Sequence, residues 1–122
     1  MQLTLLVPPL SVIQIEDLKS LDVTIKPLFL GVTEEEVSVV LPTENVPEGV
    51  LNREEGWRGL KIEGVLDFSL VGILAKIASL LAEVSISIFA ISTFNTDYIL
   101  VKEEQLVLAL ETLRQAGYQI AK

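Results

Sequence analysis

Along residues 57–122 the apolar positions switch period several times, and each switch predicts an element. Gly59-Leu60-Lys61-Ile62-Glu63-Gly64 alternates apolar and polar, the pattern of a strand with one buried face. Leu70, Ile73, Leu74, Ile77, Leu80, Leu81 and Val84 then recur at helical spacing, which predicts a helix over 69–83 capped by Ser69 or Asp67. Residues 85–93 are rich in Ile and Phe and read as a strand. Asn95-Thr96-Asp97 is a polar turn, and Tyr98-Ile99-Leu100-Val101 is a second strand antiparallel to the one before it. A helix over 103–116 follows, with Leu106, Leu110 and Leu113 inward, acids at its start, Arg114 in its last turn and Gly117 as its C-terminal cap. Tyr118-Gln119-Ile120 makes a short final strand. The order βαββαβ is that of an α+β, ferredoxin-like antiparallel sheet with both helices on one face.

The first part of the chain is patterned more weakly. Leu3–Val7, Val12–Ile15, Leu28–Val32 and Val37–Leu41 read as strands, the last two joined by an acidic turn at Glu34-Glu35-Glu36. Asp17 to Leu21 suffices for one helical turn. This resembles a shortened copy of the second half with its first helix reduced. Thr43 to Gly56, rich in Pro, Gly, Asn and acids, reads as a connecting loop, so the chain divides into residues 1–56 and 57–122.

Composition narrows the chemistry. Half of the 122 residues are hydrophobic, enough to bury a core and to leave apolar surface for a second copy of the chain, so a homodimer is expected. The net charge of −8 repels a phosphate backbone and argues against nucleic acid. Residues 1–57 hold ten acids against three basic residues, while residues 58–122 are almost balanced. There is no cysteine and no histidine, which removes thiolate nucleophiles, disulfides and the commonest general base and metal ligand. No phosphate loop, dinucleotide fingerprint or catalytic triad is present, and no cofactor or metal is expected. The start of the chain shows no signal-peptide pattern, since Pro8-Pro9 interrupts its apolar residues, and the apolar stretch 70–84 is too short to span a bilayer. A soluble cytoplasmic protein that is not an enzyme is the resulting expectation.

Residues 57–102 carry a resemblance. Trp57-Arg58-Gly59-Leu60-Lys61-Ile62-Glu63-Gly64, the run LDFSLVGILAKIASLLAE at 66–83 and the run SISIFAISTFNTDYILVKEE at 85–104 resemble the ACT domain. More narrowly, it is similar to small bacterial proteins and aspartate-kinase-type modules with tandem ACT-like halves, and the cytosolic arginine sensors belong to the same superfamily. It implies a ferredoxin-like ACT domain over 57–122, an ACT-like truncated half over 1–56, and a regulatory, allosteric role in which a small amino acid is bound and reported to a partner enzyme. It also implies that the turn Thr93-Phe94-Asn95-Thr96-Asp97 helps to hold that ligand.

The residues themselves support such a site. Between strand and helix, Ser69, Leu70, Val71, Gly72 and Ile73 offer backbone N–H groups at the positive end of a helix dipole, which suits an α-carboxylate. Asp97 suits an amino group or side-chain cation. Each residue also has a plain structural role open to it. Ser69 is a cap in any case, Gly72 eases packing, and Asp97 bonds its own turn. Phe68, Phe89 and Phe94 belong more naturally to a core than to a ligand stack, and Trp57 to the junction of the halves. The alternative function is a ligand-free structural or protein-interaction domain that keeps the fold.

Overall fold

The computed structural model describes residues 1–63 and 72–122. Among these, eight strands and two helices occur: β1 (Gln2–Leu5), β2 (Leu10–Ile15), β3 (Phe29–Val32), β4 (Val37–Pro42), β5 (Asn52–Ile62), α1 (Ile73–Glu83), β6 (Phe89–Ser92), β7 (Asp97–Lys102), α2 (Leu106–Gln115) and β8 (Gln119–Ala121). The chain forms two compact units, Met1–Val7 with Arg58–Lys122, and Pro8–Trp57.

The larger unit follows the expected βαββαβ order, with strands arranged β8-β1-β5-β7-β6. The division at 56/57 needs one correction. β1 groups with 58–122 and not with the first half. β1 pairs antiparallel with β5 (Leu3 opposite Ile62) and parallel with β8 (Leu3 opposite Ile120). The cause is apolar alternation, because Leu3 and Leu5 enter the same core as Leu60, Ile62, Ile77, Leu81, Ile99 and Leu113.

Both helices of this unit end alike. At α2, the Tyr118 N–H donates to the Leu113 carbonyl and the Gly117 N–H to that of Arg114, both at 3.0 Å, with Gly117 at φ +100°. At α1, the Ile86 N–H donates to Leu81 and the Ser85 N–H to Ala82, both at 3.0 Å, with Ser85 at φ +61°. These are paired Schellman caps, and their outer residues, Ile86 and Tyr118, both pack with this unit's core. The left-handed Ser85 explains why β6 starts at Phe89 and not at 85. The start of α1 also differs from expectation. Gly72 is its N-cap at φ +82°, so the helix opens at Ile73, and the expected caps Asp67 and Ser69 lie outside the described residues.

The smaller unit has strands in the order β3-β4-β2-β5, with residues 52–57 of β5 as its last strand. The connecting loop expected over Thr43 to Gly56 is therefore shorter. Asn52 to Glu55 are exposed polar residues whose sequence hides a strand, and Gly56 at φ +83° accompanies the register shift in the β2–β5 ladder. No helix separates β2 from β3. Asp17 accepts the Lys19 N–H and Asp22 the Thr24 N–H, each at 2.9 Å, and Leu21 closes one turn on Leu18. The Thr24 hydroxyl, then its N–H, holds the Asp22 carboxyl below the usual range. Ile13, Ile15, Leu21, Val39 and Leu41 form this unit's core.

Candidate functional site

The β6–β7 turn is built by one threonine. The Thr93 N–H donates to the Thr96 carbonyl at 2.8 Å, and the Thr93 hydroxyl donates to that same carbonyl at 3.1 Å. Thr96 is buried, and its own hydroxyl donates to the Ile62 carbonyl at 2.7 Å. That bond fixes the turn against the end of β5, the strand whose chain continues toward α1. Asp97 stands opposite Ser92 in the ladder and accepts its hydroxyl at 2.5 Å. Asn95 is exposed, and Phe94 is 80% exposed at the tip, which corrects the expectation that it joins the core.

The start of α1 supplies the second part. Gly72 and Ile73 line a cleft of about 340 Å³ together with Met1, Lys76, Ala116, Gly117 and Tyr118. The Lys76 N–H closes the first helical turn on the Gly72 carbonyl at 2.9 Å. The cleft therefore gathers the N-terminal end of α1, a lysine one turn further on and the C-terminal cap of α2. The positive end of α1 beside a cation suits an anion, and the negative end of α2 in the same cleft suits a cation. Among the described residues, the turn residues 93–97 do not line this cleft. Ser69, Leu70 and Val71 lie outside the described residues.

Sequence reasoning missed Lys76, Tyr118 and Met1 as cleft residues. A lone cation in the apolar run Ile73–Ala82 was the signal for Lys76. Nothing in the local sequence pointed to Met1 or Tyr118, which the β1–β8 pairing and the α2 cap bring to the site.

Strand order, helix placement and the anchored turn define a ferredoxin-like α+β domain. The family model of the ACT domain matches residues 52–115, just over half of the sequence, and the chain belongs to that family. It is similar to the Rattus norvegicus cytosolic arginine sensor for mTORC1 subunit 1, 44% identical over 66 residues, which is 52% of this chain and 20% of that protein. The chain thus spans about a fifth of the length of the curated relatives it matches. A crystal structure of a protein from Agrobacterium tumefaciens is similar at TM-score 0.84 and 24% identity, over 98% of this chain and 90% of that one. The ligand-free regulatory subunit of aspartate kinase from Thermus thermophilus is similar at TM-score 0.64 and 14% identity, over 94% and 96%. At such identities these structures share the fold. Among the described residues, no helix is long and apolar enough to cross a membrane.

Proposed function

We propose that this chain is an amino-acid-binding regulatory module, without catalysis of its own, that works in the cytoplasm as a homodimer and reports its ligand to a partner protein. The ligand is held between Ser69, Leu70, Val71, Gly72 and Ile73 at the entry to α1 and Thr93, Phe94, Asn95, Thr96 and Asp97 at the β6–β7 turn. The observation that carries this reading is the Thr96 hydroxyl on the Ile62 carbonyl, which ties the turn to the strand that feeds α1. A free amino acid carries an anion and a cation on one carbon. Backbone N–H groups at a helix start suit the first, and the Asp97 carboxylate suits the second. Membership of the ACT family, a relative named as a cytosolic arginine sensor and a structural neighbour named as a kinase regulatory subunit support the same reading. The absence of histidine and cysteine from the sequence fits a sensor better than an enzyme.

Calorimetry of the full chain against each common amino acid tests the proposal. One or a few should bind, and Asp97→Asn, which keeps the shape of the turn, should weaken that binding roughly ten- to hundred-fold, the value of one charged hydrogen bond. Unchanged binding in that variant would move the site elsewhere. No binding at millimolar concentration would leave the ligand-free interaction domain as the reading.

A further inference from the structure

We propose that the outer face of the smaller unit's sheet is a docking surface for an extended segment of a partner protein that carries a basic side chain. This rests on the reading that the chain reports to a partner, and it names the surface that meets that partner.

The two faces of this sheet are unlike. Ile13, Ile15, Val39 and Leu41 point into the unit's core, and both long connections, 16–28 and 43–51, close that side through residues such as Leu21 and Val50. Alternation turns Gln14 and Ser38 to the other face, where Gln14 stands between Ser38 on β4 and Asn52 on β5. With Glu36 they line a cleft of about 400 Å³.

The groups in this cleft match a peptide with a charge beside it. Ser38, Gln14 and Asn52 form a row across three strands, about 4.8 Å from one strand to the next. The Ser38 hydroxyl donates to Glu36 Oε1 at 2.5 Å, and the other oxygen of that carboxylate has no partner among the described residues. Asn52 Nδ2 donates to Gln14 Oε1 at 2.5 Å. That bond leaves the Gln14 amide nitrogen as a donor and the Asn52 carbonyl oxygen as an acceptor, which together complement one peptide unit.

Charge selects the occupant. Pro8–Trp57 holds ten acids against three basic residues. Lys19 and Lys26 belong to the connection that closes the core side, and Arg53 is paired with Glu55 at 2.6 Å. Glu36 is exposed and has no ion pair among the described residues. A second copy of this chain would set acids against acids here, and a phosphate-bearing partner would be repelled. A basic side chain on Glu36, with its neighbouring peptide unit on the Gln14–Asn52 pair, satisfies every group named.

The test is a titration of the 15N-labelled full chain with a pool of terminally blocked pentapeptides, arginine at the centre and serine, threonine and valine mixed at the flanks. Blocked ends carry neither the α-ammonium nor the α-carboxylate of a free amino acid, so the pool does not report on the amino-acid site. Amide signals of residues 12–14, 36–38 and 52–54 should shift, and the same pool with glutamine at the centre should bind at least about tenfold more weakly. Glu36→Gln should weaken binding at least about tenfold. Glu44→Gln removes the same charge from an exposed position of the same unit outside the cleft, and should weaken it less than about twofold. No shift at millimolar peptide, or equal losses in the two variants, overturns the docking surface. If calorimetry finds an amino-acid ligand while the pool fails, the surface falls alone. If the pool docks as described and no amino acid binds, the surface stands and the sensor reading falls.

Discussion

The hairpins 29–42 and 89–102 are one device used twice, sixty positions apart, with opposite sequels. Phe29 pairs with Val40 as Phe89 pairs with Leu100, and Val32 with Val37 as Ser92 with Asp97. Thr33 and Thr93 close the two turns through the same N–H and hydroxyl bonds. A short 3-10 turn follows each, at Thr43–Asn45 and Glu103–Gln105. Then they diverge. Gln105 leads into α2, whereas Pro47 pushes Val46 into extended backbone (ψ 123°) and Gly49 turns left-handed at φ +75°. A hairpin is thus specified within its own dozen residues, but a helix needs the residues beyond it. The unit that keeps its helices also has the larger core.

The largest effect is expected where that difference is greatest. Leu113 is fully buried on α2 and anchors its C-terminal cap, so Leu113→Ala should cost about 2–5 kcal/mol in urea unfolding. Val50, half-buried beside the core of the other unit, stands where α2 would have continued, and Val50→Ala should cost only about 1 kcal/mol. Equal losses would mean that the helix-free unit is packed as tightly as the other.

Much of this was legible in the sequence, for physical reasons that also mark where legibility stopped. The β5–β8 order follows from one-sided burial, which writes a period into the chain. Gly117 as a cap follows from its left-handed backbone, while the turn expected at 95–97 ends one residue earlier because Asp97 opens β7. The likeness of the two halves showed in the pattern alone and its 60-residue offset did not, because over residues 29–45 only Phe29, Thr33 and Glu44 recur as identical residues at 89, 93 and 104. The strand at Asn52 to Glu55 was hidden because both of its faces are exposed and carry polar side chains. The residues 93–97 were named through the resemblance, with only Asp97 argued from its charge. The cleft could not be named, since Met1, Lys76 and Tyr118 come together only through strand pairing and helix packing.

A second test concerns the position three residues after each turn threonine. Thr96 is buried and bonded to the Ile62 carbonyl, while its counterpart Glu36 is exposed. Thr96→Val keeps the shape and leaves a buried carbonyl without its donor, so it should cost about 1–3 kcal/mol. Glu36→Gln should change stability by less than about 0.5 kcal/mol. If Thr96→Val is equally silent, the turn is not held by that bond, and the argument for a fixed ligand-binding turn loses its support.

The smallest effect probes what the hairpins share. Thr33 Oγ1 donates to the Glu36 carbonyl at 3.4 Å and accepts the Glu35 and Glu36 N–H groups, both at 3.2 Å. Thr93 Oγ1 donates to the Thr96 carbonyl at 3.1 Å and accepts the Thr96 N–H at 3.4 Å. Valine in place of either keeps the β-branched shape that suits a strand end and removes only the hydroxyl. Both turns are in contact with water, which replaces most of what is lost, so each substitution should cost about 0.5–1 kcal/mol. The backbone bond from residue 33 or 93 to the carbonyl three residues on remains in both variants, so the registers should survive. Chemical denaturation of the two single variants and the double variant measures this directly. Near-equal single losses that add in the double variant would establish two independent copies of one turn. A loss at Thr93 several times that at Thr33 would show that the second turn draws on the Thr96 anchor and is more than a repeat of the first.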